Sequence, residues 1–434
     1  MFSSPNTRSD DNRGAPDPSR AKPINFAICL IDAFSWAFGT SFFSVTTIVP
    51  LFLRELKASN LTIGLIPAMI SFGYLLPGLL VAKRIAALPV GKWWLFFVAV
   101  GERIPLLLIA LLIPVIGAGR PSAVLWLFIA GFAVHALLLG TNQPAYWTVV
   151  GKVIPVRQRG RMFGWAGALG GAAGVMIDPI TRHFLTPDGV ATLRGFSSCF
   201  LIGTIVLWAG IIPFTLFDEP RTVAPAEVGD SHVGRFWSDA RQLLKGSPSL
   251  RRLILGQCAV SIASMAQPFF VLDYAERFHV AGSTIADFTT IGVVLGAFGS
   301  LLWGLWADRR GNKGVLVVSS LLAAIAAGLA YFSPPAIAYY AVFAASALSA
   351  SGIGLASYNI VMEFADKPSN IPFHTALFNA SIAPFRTLAP VVGGLLADRH
   401  GYGCVFAVSA VTAMVGLWLT ARMVEPRGAP TGGV

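Results

Sequence analysis

Gly304-Leu305-Trp306-Ala307-Asp308-Arg309-Arg310-Gly311-Asn312-Lys313-Gly314 sets one acidic and three basic side chains, with three glycines, between two long apolar runs. A helix leaves hydrocarbon there, the chain turns on glycine, and a second helix enters, so the stretch is a loop at a membrane face. A degraded copy lies upstream, where Phe72-Gly73 and Gly78-Leu-Leu-Val-Ala82-Lys83-Arg84 repeat the spacing of Phe298-Gly299 and Gly304 to Arg310. Ala82 stands in the copy where Asp308 stands in the original. The chain is therefore internally duplicated, and its two halves face the same side of a bilayer without being equivalent.

Composition agrees with a membrane body. Of 434 residues, 55% are hydrophobic and 12% charged, about half the charge of an ordinary soluble chain. The net charge of +11 lies in short runs between apolar segments, with no basic face to follow a phosphate backbone, which argues against a nucleic-acid partner. Cys29, Cys199, Cys258 and Cys404 each sit inside an apolar stretch without a pairing or metal-ligand pattern; they read as core residues.

Twelve apolar segments have the length needed to cross hydrocarbon: 24–53, 60–83, 92–117, 121–151, 161–186, 194–217, 252–277, 283–306, 313–333, 335–363, 371–397 and 402–424. The reading is an all-α membrane protein with two pseudo-symmetric six-helix bundles. Its parts are a polar tail (1–23), a first bundle (24–217), a central loop (218–250), a second bundle (251–425) and a second tail (426–434). When loops are assigned alternately to two sides, 23 of the 32 Lys and Arg residues fall on the side of the termini and 7 on the other. By the positive-inside rule both termini are cytoplasmic, in a cell (inner) membrane. In the central loop, Phe236, Trp237, Leu243 and Leu244 alternate with Arg235, Asp239, Arg241 and Lys245. That pattern suits a short amphipathic surface helix or a plain linker.

The run Gly304-x-x-Ala-Asp308-Arg309-x-Gly311-x-Lys313 resembles the signature loop of the major facilitator superfamily of secondary transporters. Arg157-x-Arg159-Gly160-Arg161 and Gly393-Gly394-Leu-Leu-Ala-Asp398-Arg399-x-Gly401 resemble further features of that family. The resemblance implies two halves that rock about a central site, with the signature loop latching them on the cytoplasmic side. Gly304, Asp308, Arg309 and Gly311 are then gating residues, and Asp308 is expected to meet the start of the fifth span near Arg159 and Arg161. A solvated loop that only fixes topology is the competing reading. The glycines of the fifth span, Gly164 to Gly174, read chiefly as a small-residue packing face.

Ionisable groups within spans need a partner, a cavity or a function. Asp32 in the first span and Arg103 in the third lie at depths matching within about 5 Å. With Glu102 they form a candidate buried ion pair, either scaffold or proton-coupling. Arg386 stands near mid-bilayer without a carboxylate at its depth, which suggests contact with an anionic substrate group; satisfaction by backbone carbonyls, or by Asp178 or Asp273 nearer the outer face, is the alternative. The resemblance implies that the first, fourth, seventh and tenth spans line the cavity. They supply Asp32 and Trp36; His135, Asn142 and Gln143; Gln257 and Gln267; and Tyr358 and Asn359. Amides beside aromatic rings suit a small polar organic solute. The expected protein is a monomeric secondary transporter, with no cofactor or metal and no enzymatic activity, and with protons as a candidate coupling ion. The alternative class is a non-transporting sensor, scaffold or lipid scramblase with a transporter-like body.

Overall fold

Hydrocarbon offers no partner to a backbone amide, so a chain this apolar must satisfy its amides within helices. The computed structural model describes residues 22–86, 88–117, 119–185, 192–221, 233–278, 282–332, 335–365 and 370–426, and these form helices joined by short turns. Most of the polar tail, most of the 218–232 stretch and the end of the chain lie outside the described residues. Nine described helices are long and apolar enough to cross a membrane. One of them, Ile371–Ala421, is two spans, because Gly401 breaks it at φ 77°. The second span, Asn60–Ala86, and the glycine-rich fifth, Val156–Leu185, bring the number to twelve.

The first span is broken where one continuous helix was expected. Pro23–Ser41 ends, residues 42–47 turn, and Ile48–Glu55 resumes. The Thr40 and Ser41 hydroxyls bond back to the Trp36 and Ala37 carbonyls, a competition with the helix ladder that loosens its last turn. The seventh span repeats the break at the equivalent place: Pro248–Ala263, a 3₁₀ turn Ser264–Ala266, then Gln267–Phe278. Both breaks put backbone and short polar side chains at mid-span, which is tolerated in a membrane only where protein or a cavity receives them.

We call proximal the end where the first span begins and the twelfth finishes, and distal the other. At the distal end each half has an aromatic core. Phe52 packs against Phe128, Phe196 and Phe200 in the first half, and Phe270, Phe288, Tyr274 and Phe343 pack together in the second. With no hydrophobic drive between helices in lipid, shape complementarity holds the bundle together, so small residues mark close approaches. A Cβ on Gly64 of the second span would collide with the Pro390 carbonyl of the eleventh. Gly64→Leu should therefore lower the stability of the detergent-purified protein by about 1–3 kcal/mol; an unchanged melting temperature would show that this approach is dispensable.

The fifth and eighth spans diverge from distal to proximal. A Cβ on Gly174 would sit 2.9 Å from Val293, one on Gly171 would sit 3.3 Å from Ala297, and one on Gly167 would meet nothing within 4 Å. Among the described residues the halves are thus closed distally and parted toward the proximal end.

At the proximal end each half carries the same strut. Glu219 accepts from the amides of Gly91 and Lys92 at 2.8–2.9 Å, capping the third span, and binds Lys152 Nζ at 2.9 Å. Glu425 accepts from the Lys313 amide at 2.9 Å, capping the ninth. Each glutamate precedes a proline, Pro220 or Pro426, just past the last span of its half. An acid at a helix N-terminus offsets both the free amides and the helix dipole. The helix Val233–Gly246 turns Ala240, Leu243 and Leu244 onto a cluster with Leu250, Leu253 and Met423. These apolar residues cover protein where a lipid-facing role was also open; the side chains of Arg235, Phe236 and Trp237 lie outside the described residues.

Candidate functional site

Both broken helices open onto a space between the halves. Its deep chamber, about 590 Å³, is walled by the 42–47 turn and by Trp36, Phe132, His135, Phe270, Phe288 and Phe343. A second chamber of about 300 Å³ adjoins it, walled by Gln257, Ser261, Tyr358, Phe378 and Arg386 among others. Val45, Thr46, Ile70, Gln267 and Ala350 border both chambers, so they form one continuous cavity.

Of the residues expected to bind substrate, Trp36, His135, Gln257, Gln267, Tyr358 and Arg386 reach the cavity wall. Gln143 faces elsewhere and accepts from the Trp147 indole at 3.1 Å. Asn359 borders neither chamber. Tyr358 is oriented by its hydroxyl, which donates to Asn379 Oδ1 at 3.0 Å. Gln257 Oε1 accepts from Ser357 at 3.1 Å, while its Nε2 is buried and unpaired.

Asp32 and Asn142 sit behind the wall, in a polar cluster centred on Glu102. The Glu102 carboxylate is 1% exposed and lies 3.6 Å from Arg103 Nη1 and 3.9 Å from His135 Nδ1. Asn142 Nδ2 approaches its Oε2 at 3.3 Å. Arg103 also donates to the Leu207 and Ala99 carbonyls at 3.0 Å and lies over the Trp36 ring. The expected Asp32 to Arg103 contact is made differently. Glu102, from the same helix, lies nearest the guanidinium, while Asp32 sits beside Tyr146 and feels Arg103 and Glu102 electrostatically. His135 Nδ1 also sits 3.0 Å from the Glu102 carbonyl, tying the cluster to the deep chamber.

Two clasps shut the distal end. In one, Arg54 and Asn60 of the first half meet Glu276, Asp398 and Tyr402 of the second. Arg54 pairs with Glu276 at 2.8 Å and bonds Tyr402, and the Asn60 and Leu61 amides donate to the two Asp398 oxygens at 2.9 Å each. In the other, Arg182 of the fifth span bonds Asp178 at 2.9 Å on its own helix and pairs across the halves with Asp287, which accepts from Tyr340 at 2.6 Å. Between them, Thr47 and Thr289 share a buried hydrogen bond of 2.7 Å over the deep chamber.

The proximal latch residues are described in part. Asp308 and Arg309 are exposed, and among the described residues no partner engages Asp308. Arg161 lies over the Phe26 ring at 5.3 Å, and the Arg159 side chain lies outside the described residues. Gly304 has only Leu355 of its own half nearby. Whether Asp308 meets Arg159 thus lies outside the described residues; a second copy of the loop makes a latch that they do show. Residues 304–311 and 394–401 share six of eight identities, Gly-Leu-x-Ala-Asp-Arg-x-Gly. Their closing glycines take the same conformation, Gly311 at φ 82° and Gly401 at φ 77°, where a side chain would be strained. The second copy ends at the distal face, and its Asp398 caps a helix of the opposite half.

Residues 253–433 match the family model of the Major Facilitator Superfamily. The MFS-type transporter ppzB of Metarhizium majus (strain ARSEF 297) is 26% identical over 168 residues, 38% of this chain and 36% of that protein. Its counterpart from Metarhizium rileyi (strain RCEF 4871) is 26% identical over 158 residues, 36% of this chain and 32% of that one. The match thus spans about a third of the length of these curated relatives. Among solved structures, a D-xylose-proton symporter superposes with a TM-score of 0.69 at 13% identity, covering 94% of this chain and 100% of that one. A bacterial homolog of the human lysosomal transporter Spinster gives 0.67 at 14% identity, covering 95% and 100%. Likeness at these identities shows the shared twelve-helix fold.

Proposed function

We propose that this chain, a member of the major facilitator superfamily, is a secondary transporter that carries a small organic solute by alternating access. The observation that carries the reading is one cavity on the axis between the halves, clasped distally and, among the described residues, parted toward the proximal end. A solute bound there is exposed to one face at a time if the halves rock. The excess of Lys and Arg at the proximal end makes that end cytoplasmic, so the described state is inward-open. The aromatic walls supply contact area and the amides of Gln257 and Gln267 supply orientation. Protons are the coupling ion that the Glu102 cluster fits best: a carboxylate sealed from water, adjoining the cavity through His135, can exchange charge with it when the halves move.

Reconstitution into proteoliposomes provides the test. Protein loaded with a solute drawn from a metabolite library should exchange it for external labelled solute, and an inward-acid pH gradient should drive accumulation. Lipid flip-flop without solute exchange would favour the scramblase reading instead.

A further inference from the structure

We infer that the substrate is a monocarboxylate with an apolar, ring-bearing body, its carboxylate on Arg386 and its body among the rings of the deep chamber. The inference rests on the transporter reading and names the substrate class for the same cavity.

Arg386 stands about midway along the eleventh span, some 22 Å from its proximal start. Phe378, Ile382, Arg386 and Pro390 recur every fourth residue, so one helix face delivers all four to the second chamber. The guanidinium is exposed to that chamber, and among the described residues it has no ion pair and no hydrogen bond. Arg103 shows how this protein treats a structural arginine in the membrane: 3% exposed, beside Glu102, and donating to two carbonyls. Arg386 receives none of this. A guanidinium in a low-dielectric cavity is costly until an anion reaches it, and its fork fits a carboxylate.

The remaining wall makes the choice narrower. Among the described residues neither chamber has an Asp or Glu on its wall, so a cationic solute would find no counter-charge there. The Ser261 hydroxyl borders the same chamber as Arg386 and can donate to a carboxylate held there. The deep chamber beyond Gln267 is walled by Trp36, Phe43, Phe132, Phe270, Phe288 and Phe343. Among the described residues this wall carries no Lys or Arg, and its one imidazole, His135, is turned to Glu102, so the ring faces suit an apolar body.

The test compares 3-phenylpropionate, indole-3-acetate and decanoate with their primary amides and with 3-phenylpropylamine and tryptamine. Thermal stabilisation of the purified protein and exchange in proteoliposomes are read for each. Ring-bearing acids should stabilise and exchange, with the amides and amines at least about tenfold weaker. R386Q should remove the preference for acid, and R386K should keep part of it. Exchange of amides or amines as good as that of acids, or an acid preference surviving R386Q, would overturn the inference while leaving transport standing. The acid and amide comparison on the unaltered chain decides the matter even if R386Q does not fold. Failure of every probe in both measurements would sink the transport reading and this inference with it.

Discussion

Removing both distal clasps, as Asp398→Asn with Asp287→Asn, should open the cavity to the distal face. A cysteine placed at Ser346 on the deep-chamber wall should then react with a membrane-impermeant maleimide from that face at least about tenfold faster. The magnitudes identify the bond that matters most. Arg54 and Glu276 are 34% and 54% exposed, and a pair that wet contributes about 0.2–1 kcal/mol. The carboxylate of Asp398, exposed as well, caps a helix start through two amides, an arrangement that contributes about 0.5–2 kcal/mol, with about 0.3–1 kcal/mol more from the helix dipole. Asp398→Asn should thus account for most of the shift, and Arg54→Ala for little. Asp308→Asn should act with the opposite sign, because among the described residues nothing engages Asp308 in this state, whereas closing the proximal end would give it a contact at the fifth span to lose. Labelling that stays unchanged with both clasps gone would end the idea that these contacts set the equilibrium.

The architecture was legible because hydropathy and loop charge are summed over some twenty residues per span, and no single side chain decides them. The site was less so. Arg386 could be found from the sequence because a lone charge inside a span is conspicuous at any orientation. Asp398 was in view as a family feature, but a loop repeated at six of eight positions carries no mark of which face it will lie on. That depends on helix parity, and only the fold shows Asn60 beneath it. Glu102 was hidden behind its neighbour. Adjacent residues on a helix diverge by about 100°, so depth along the span could pair Asp32 with Arg103 but could not show that Glu102 would lie nearest the guanidinium. Gln143 and Asn359 fail for the same reason: each lies on a cavity-lining helix, turned off the wall.

Glu102→Gln should abolish proton-driven accumulation while solute exchange survives. The cluster holds two carboxylates, Asp32 and Glu102, one guanidinium, Arg103, and one imidazole, His135, with Tyr146 and Cys29 beside Asp32. Counting charges, Arg103 balances one carboxylate; the other requires a proton, on itself or on His135, if a site this buried is to be neutral. Opening the halves to the two faces in turn lets that proton be taken from one side and given to the other. Glutamine at position 102 leaves Asp32 and Arg103, which balance without it, so the halves can rock with solute but no longer need a proton. Asp32→Asn should uncouple in the same way by leaving Glu102 with Arg103. The pair of substitutions together has the opposite character: it strands Arg103 uncompensated and should cost about 3–5 kcal/mol of stability. Uphill accumulation retained by Glu102→Gln at the wild-type rate, or a double variant as stable as either single, would show that the cluster is scaffold and that coupling lies elsewhere.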